Sequence, residues 1–339
     1  MAPVGKQVSI SLGGMRIEMW ADVVCPWAYI GKRRLEKALA SWDGAEAEVV
    51  WRPFRIDPTA PAEATPAAGI LAEPGAGEAP RQSAPGLSPV ENQERVAEAA
   101  AAEGIGPRWG AAWRASSQDA HRLLHLAGEH GGAPLQGAVA EAVMRAHFVE
   151  ALDISDHDVL ARVARRAGFA EGGDLLASGA GADEVTELLL RGKATGVTTS
   201  PTLVVNGQAL TGARHPQAIT DFLHLAARHT PRELPAEVER LRLAEALLDG
   251  GDPLGALTLL RPLLEEHGTD RGVRLLAARA WFHSAQLRRA EEALRALAAE
   301  APDDSYVQLL LGRVLQRQGR EREATAHLRV AAAMNPDYG

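Results

Sequence analysis

The last third of the chain repeats itself at intervals of 34 residues, and this period constrains the fold more than any other feature of the sequence. Blocks that begin at Glu237, Arg271 and Ser305 align small residues with one another at two positions. The first set is Ala244, Ala278 and Gly312, and the second is Ala256, Ala290 and Ala324. Small residues at fixed positions let two helices approach closely. A single pair of helices cannot bury its own apolar face, so such pairs stack on one another. The spacing therefore predicts three stacked helix pairs.

These blocks resemble the tetratricopeptide repeat. Pro302 and Pro336 close the second and third blocks, whereas the first block lacks such a proline. A generic array of helical hairpins would have nearly the same architecture. We predict an all-α region over residues 231–339, with tetratricopeptide-like units at 237–270, 271–304 and 305–339, which binds a protein partner or a second copy of the chain. Arginines on these helices, Arg288 and Arg289 among them, are candidates to bind acidic peptides.

Cys25 is the only cysteine in the chain. It stands between a strand pattern at residues 15–24 and a helix pattern at residues 27–41. A cysteine in the first turn of a helix faces unpaired backbone N–H groups and the positive end of the helix dipole, and both favour the thiolate. The sequence therefore predicts a nucleophilic sulfur at position 25. The motif is Cys25-Pro26-Trp27-Ala28, so any chemistry here uses one sulfur.

The remaining elements of residues 15–230 indicate an α/β domain. Glu48 to Phe54 is typical of a second strand, and the Ala, Pro and Gly of residues 60–89 predict an irregular loop. Pro201 to Leu210 predicts a hairpin, because Asn206-Gly207 separates two short strands, and a helix follows from His215. Helical patterns fill the region between loop and hairpin, at about 90–103, 117–130, 136–150, 156–168 and 182–194. Residues 1–14 remain as an N-terminal extension.

Several motifs together resemble the DsbA family, and in particular its FrnE-like branch. They are Asp22 to Trp27, Tyr29 to Arg33, Arg52 to Phe54, Asp119 to Leu124 and Gly196 to Thr202. The resemblance covers residues 15–228 and implies a thioredoxin-like fold with a helical domain inserted at about 90–195. It also implies thiol–disulfide oxidoreductase activity with Cys25 as the nucleophile.

The same resemblance implies roles for residues far from Cys25 in the chain. The proline that follows the helical insertion in such folds is cis and lies against the active-site cysteine, and Pro201 is the matching residue. Ser200, Pro201 and Thr202 would then bind an extended substrate. Asp22 is a candidate proton acceptor or a residue that ends the strand by hydrogen bonding. His121 is a candidate for the cleft border or for a structural role.

Ala28 is the main departure from this branch, whose members typically have a second cysteine there. That thiol would resolve the mixed disulfide formed by the first. Three alternatives remain open. Cys25 acts as a monothiol with an external thiol as resolver, or it activates a small thiol such as glutathione or mycothiol for isomerisation or transfer, or the domain is a non-catalytic adaptor or holdase that binds peptides.

Composition excludes several other functions. The formal net charge of −8 and the pI near 5.8 argue against general binding of nucleic acid or of a membrane surface. Charged residues interrupt the apolar run at residues 15–30, so it does not predict a membrane span. His121 and His125 have helical metal-site spacing but no third ligand nearby, and no metal is expected. No secretion signal is visible in residues 1–14, so a cytoplasmic location is expected.

Overall fold

A computed structural model describes residues 14–66, 88–106, 110–230 and 234–338. The chain forms two units, Met1–Gly192 with Val197–Arg232, and Lys193–Gly196 with Glu233–Gly339. The predictions for the extension at residues 1–14 and for the loop at residues 60–89 lie largely outside the described residues.

The described residues before position 231 contain every strand and helix that the sequence predicts there, in the predicted order. In chain order they form β1 (Met15–Ala21), α1 (Pro26–Ala40), β2 (Ala47–Pro53), β3 (Thr65–Pro66), α2 (Pro89–Ala102), β4 (Trp113–Arg114), α3 (Gln118–Phe148), α4 (His157–Arg166), α5 (Gly172–Ala177), α6 (Ala182–Ala194), β5 (Thr202–Val205), β6 (Gln208–Thr211) and α7 (Pro216–Ala226). The six-residue helix α5 and the two-residue strands β3 and β4 were not predicted.

Four strands form the main sheet, in the order β2-β1-β5-β6. β1 and β2 are parallel, β1 and β5 antiparallel, and β5 and β6 form an antiparallel hairpin. Asn206 and Gly207 connect the hairpin with φ values of 49° and 76°, as a tight hairpin turn requires. β3 and β4 form a separate two-stranded sheet. This arrangement confirms the predicted thioredoxin-like fold with an inserted helical region.

The inserted helix α3 covers the outer edge of the sheet. It is broken at Gly131 and Gly132, whose backbone angles are not helical, so it corresponds to the two helices predicted at 117–130 and 136–150. Beyond the break, the buried amide of Gln136 pairs with strand β2. Its Oε1 accepts from Trp51 N at 2.8 Å, and its Nε2 donates to Trp51 O at 3.1 Å. One side chain thus satisfies edge groups that would otherwise be buried without partners.

The described part of the second unit consists of helices in pairs. These are α8 (Ala236–Asp249), α9 (Pro253–Glu266), α10 (Arg271–His283), α11 (Leu287–Glu300), α12 (Ser305–Arg317) and α13 (Glu321–Met334), with a short 3₁₀ turn at Pro336–Tyr338.

The aligned small residues of the repeats lie where the helices touch. All five aligned alanines are fully buried. At the sixth position, a Cβ on Gly312 would approach Leu328 to 2.7 Å. Asp270 and Asp304, 34 residues apart, cap α10 and α12 by accepting from the backbone N of Val273 and Val307. The repeat period therefore governs both packing and capping.

Candidate functional site

Cys25 lies at the junction of β1 and α1. It is the N-cap residue of α1, with Pro26 in the first turn and no side-chain cap at this end of the helix. A turn connects it to the strand, because Cys25 N donates to Asp22 O at 3.0 Å. The fixed φ of proline suits the first helical position. The local sequence thus places the sulfur at the amide-rich end of the helix.

The residues before β5 lie against this sulfur, although they are distant in sequence. The Ser200–Pro201 peptide bond is cis, and the Cys25 thiol donates to Ser200 O with an Sγ–O distance of 3.4 Å. Asp22 N donates to Ser200 Oγ at 2.9 Å, which fixes the same loop to the end of β1. Thr202 begins β5 and pairs with Trp20 of β1. The structure therefore brings Cys25, Ser200, Pro201 and Thr202 together.

A close contact between α1 and Pro201 sets the height of this loop above the helix. A Cβ built on Gly31 would approach Pro201 Cγ to 2.9 Å, closer than real Cβ contacts allow. Gly31 lies in α1, six residues after the N-cap Cys25. The missing side chain at position 31 is what admits the proline ring, and Ser200 is positioned over the sulfur as a consequence.

Asp22 is completely buried beneath the site. Its carboxylate accepts from Ile56 N at 2.7 Å and from Val24 N at 3.3 Å. Nε2 of the buried His121 lies 3.3 Å from Asp22 Oδ1 and 2.9 Å from Phe54 O. Both residues therefore organise the backbone around β1 and β2, through the two carboxylate oxygens of Asp22 and through Nε2 of His121. This geometry matches the structural alternative for each residue.

Trp27 and Ala28 occupy different environments in the first turn of α1. Trp27 is half-buried, and the guanidinium of Arg95 from α2 lies over its ring, 5.1 Å from the centroid. Ala28 is fully buried, and its backbone N donates to Cys25 O at 2.9 Å. Position 28, where the related branch typically has its second cysteine, is therefore buried in this protein.

The expectation of an acidic thiol at position 25 is wrong for this structure. The pKa of the Cys25 thiol is raised from about 9 to about 11, chiefly because burial disfavours the charged form. The negative charge of Asp22 acts in the same direction, whereas hydrogen bonds from Ser200, Ala28 and Trp27 oppose it. A pKa unit corresponds to about 1.4 kcal/mol, whereas a helix end contributes typically 0.3–1 kcal/mol. The cysteine is only 5% exposed, so desolvation outweighs the helix amides.

His147 is a buried neighbour of this region that the sequence did not single out. Burial lowers its pKa to about 4, although Asp22 and Asp153 favour the charged form. Its Nδ1 is buried without a hydrogen-bond partner in the described part of the protein. A neutral imidazole is consistent with both observations. The sequence does not predict this buried position, because a single histidine on the apolar face of a helix forms no recognisable motif.

A cavity of about 1100 Å³ lies between the sheet, α1 and the second half of α3. Met19, Leu35, Trp51 and Glu141 are among the residues that line it, whereas Cys25, Trp27 and Ser200 are not. In the described ranges, no group of three or more His, Cys, Asp or Glu side chains could hold a metal ion. No helix within those ranges is long and apolar enough to cross a membrane.

Comparison with known proteins identifies both parts of the chain. The DSBA-like thioredoxin domain matches residues 16–224, and the tetratricopeptide repeat matches residues 247–314. A crystal structure of a probable DsbA oxidoreductase from Streptomyces coelicolor is similar, with 32% identity and a TM-score of 0.53. This match covers 65% of the present chain and 94% of the other.

The cytosolic disulfide reductase DsbM from Pseudomonas aeruginosa is a more distant structural match. Its structure with GSH shows 15% identity and a TM-score of 0.42, and the match covers 63% of the present chain and 99% of DsbM. No curated protein matches the sequence closely.

Replacing Gly31 with Ala tests whether the helix–proline contact positions the loop. The new methyl group must displace the Pro201 ring, and we expect a loss of about 1–3 kcal/mol of stability in urea unfolding. Gly137→Ala is the matched control, because it adds the same methyl group to another helix where nothing lies within 4 Å. That control should be neutral or stabilising by about 0.5–1 kcal/mol. Equal effects of the two substitutions would contradict the contact.

Removing the charge of Asp22 tests its contribution to the raised pKa of Cys25, of which burial is the largest cause. We expect Asp22→Asn to lower the thiol pKa, because the negative charge near the sulfur is lost, while the amide oxygen keeps one of the two acceptor roles of the carboxylate. Thiolate absorbance is followed against pH, with Cys25→Ser as the baseline. A wild-type midpoint near 7, or a midpoint that does not fall in Asp22→Asn, would refute this electrostatic description.

Proposed function

We propose that this chain, which belongs to the DSBA-like thioredoxin domain family, is a thiol–disulfide oxidoreductase in which Cys25 is the only nucleophile. The observation that carries the proposal is the hydrogen bond from Cys25 to Ser200 O beside the cis Ser200–Pro201 bond. A substrate that reaches the sulfur must also pass this loop. The loop backbone is therefore the natural partner of an extended peptide.

The hydrogen bond also links deprotonation to substrate binding. Ser200 O accepts the thiol proton of Cys25 while the sulfur is protonated. Once that proton leaves, or once the sulfur forms a mixed disulfide, the same carbonyl is released. It can then accept an N–H of the bound peptide, so the loop exchanges an internal hydrogen bond for one to substrate.

The reaction has two exchange steps with one protein sulfur. The Cys25 thiolate attacks one sulfur of a substrate disulfide, forms a mixed disulfide and releases the other sulfur as a thiolate. An external thiolate then attacks the substrate sulfur of the mixed disulfide, forms a new disulfide with it and releases Cys25 as a thiolate. A low-molecular-weight thiol such as glutathione or mycothiol is the proposed external thiol.

The raised pKa predicts how such a reaction depends on pH. With a thiol pKa of about 11, roughly one thiol in ten thousand is ionised at neutral pH. The rate of the first step should rise about tenfold for each pH unit until the pKa is reached, since the thiolate is the nucleophile. Opening of the site to substrate would restore water to the sulfur and lower the pKa toward its ordinary value.

The five sequence motifs that resemble the FrnE-like branch favour membership of this chain in that branch. Membership would also imply a cytoplasmic location. The repeats would bind a protein partner or substrate, or pair two copies of the chain. Asp22 and His121 would support the reaction by holding the backbone around Cys25.

A binding module without catalysis is the second candidate, and a specific observation favours it. Cys25 is almost completely buried with a raised pKa, and the fully buried Ala28 supplies no resolving thiol. In this reading the domain binds extended peptides beside Pro201. Cys25→Ser would then leave partner binding unchanged, and no disulfide exchange would occur.

Intact mass separates the two candidates. The purified protein is incubated with oxidised glutathione at several pH values, and reduced glutathione is then added. We expect one glutathione adduct on Cys25 that forms faster as pH rises and is released by the reduced form, with none on Cys25→Ser. A native protein that gains no adduct across the pH range, but gains it after unfolding, would establish the binding module instead.

Supplying the missing sulfur is a second test. We expect Ala28→Cys to form a disulfide with Cys25 and to gain dithiol activity on a disulfide-bonded test protein, because residue 28 lies in the first helical turn after Cys25. Thiol counting and reduction of the test protein measure the two effects. Ala28→Ser controls for polarity at the buried position. A folded cysteine variant with no gain would show that the surrounding cleft does not support exchange.

A further inference from the structure

The repeat unit has a groove that combines an apolar floor with unpaired cations. A cavity of about 480 Å³ lies between α9, the end of α10 and the start of α11. Its lining includes Leu254, Leu257, Arg261, Leu264, Trp281 and Arg289. This volume falls within the range of small binding sites, about 300–1,000 Å³. We call it the α9–α11 groove.

The apolar part of the groove is open to solvent. Leu254 is 62% exposed, more than any other large apolar residue described in the repeat unit. Leu257, Leu264 and Trp281 beside it are only half-buried. An aromatic side chain and three leucines around one depression form a surface that gains free energy when another apolar group covers it.

Arginines surround this apolar surface, and they differ in their partners from five other arginines of the repeats. Many repeat arginines pair with carboxylates, namely Arg271, Arg274, Arg279, Arg295 and Arg320. Arg261, Arg288 and Arg289 are exposed and have no carboxylate partner in the described part of the unit. Arg289 only donates to Gln286 Oε1, at 3.0 Å. A second depression next to the groove includes both Arg288 and Arg289.

The positions of the charged residues around the groove favour an anionic ligand. The first turn of α11 contains Arg288 and Arg289 and no acidic residue, so both cations lie at the end of the helix where the dipole disfavours them. Glu265 is the one acidic residue that lines the groove. A chain with a net charge of −8 thus keeps unpaired positive charge beside its exposed apolar groove, and the complementary ligand is an anion.

We propose that the α9–α11 groove binds an acidic peptide segment of another protein, with one large apolar side chain seated against Leu254 and Trp281 and flanking carboxylates paired with Arg261 and Arg289. Guanidinium groups bind carboxylates through two parallel hydrogen bonds, so they favour Asp or Glu at defined spacing from the apolar residue. The groove would recognise the amino-acid sequence of its ligand, whereas the proposed reaction at Cys25 requires a disulfide in the substrate.

Selection from a library of short random peptides tests this proposal on the full-length protein. We expect enriched peptides to contain a large apolar residue flanked by Asp or Glu. The double variant Arg261→Glu/Arg289→Glu should weaken binding of a synthetic enriched peptide by about tenfold or more. Arg242→Glu/Arg322→Glu is the matched control, because it makes the same charge change at exposed arginines of the same unit that do not line the groove.

Other outcomes would overturn the proposal. They are enriched peptides without acidic residues, binding equal in the two double variants, or no enrichment at all. Concentration-dependent dimerisation that is lost in Arg261→Glu/Arg289→Glu would assign the groove to a second copy of the chain instead. Circular dichroism checks that the variants fold, and Leu254→Lys provides a further test at an exposed position. Binding should persist in Cys25→Ser, so failure of the redox proposal and failure of this one are distinguishable.

Discussion

The contact between Pro201 and Gly31 is the constraint on which the site depends. Residue 201 reaches α1 only because position 31 has no side chain, and the loop is held at its other end by the hydrogen bond from Asp22 N to Ser200 Oγ. These two attachments place Ser200 O over the sulfur of Cys25. The sheet then fixes the geometry, because β1 ends at Ala21, one turn before Cys25, and its neighbour β5 begins at Thr202.

The same packing that builds the site also suppresses the reactivity of its sulfur. Hydrogen bonds from Ser200 and from the helix end favour a thiolate, but burial of the sulfur and the charge of Asp22 outweigh them and favour the protonated thiol. A protonated thiol that donates to Ser200 O is a stable resting state. A reaction at Cys25 therefore requires that the substrate replace the hydrogen bond between the thiol and Ser200 O. Binding of a peptide without a reaction does not require this replacement.

Much of this architecture follows from local sequence patterns. The strand–helix–strand unit, the Asn206–Gly207 hairpin and the repeat period depend on alternation, helical spacing and turn residues, which are all readable along the chain. The short helix α5 lacked such a signal because six residues give little periodicity. The break in α3 was predictable as a boundary, since Gly131 and Gly132 favour non-helical backbone angles.

The parts of the site that sequence did not predict arise from tertiary packing. A local argument gave an acidic Cys25, because it included the helix end but not the distant residues that exclude water. The pairing of Gln136 with Trp51 and the burial of His147 depend on where α3 crosses the sheet. The proximity of residues 25 and 201 came only from a family resemblance, since no spacing rule connects residues so far apart.

The most direct test of the account compares Cys25 with a small thiol of matched pKa. Rate constants for exchange with the same peptide disulfide are measured and divided by the thiolate fraction of each. If the loop at Ser200–Pro201 binds the peptide beside the sulfur, the normalised rate constant of Cys25 should exceed that of the small thiol by about tenfold or more. An equal or smaller value would contradict a catalytic site at Cys25.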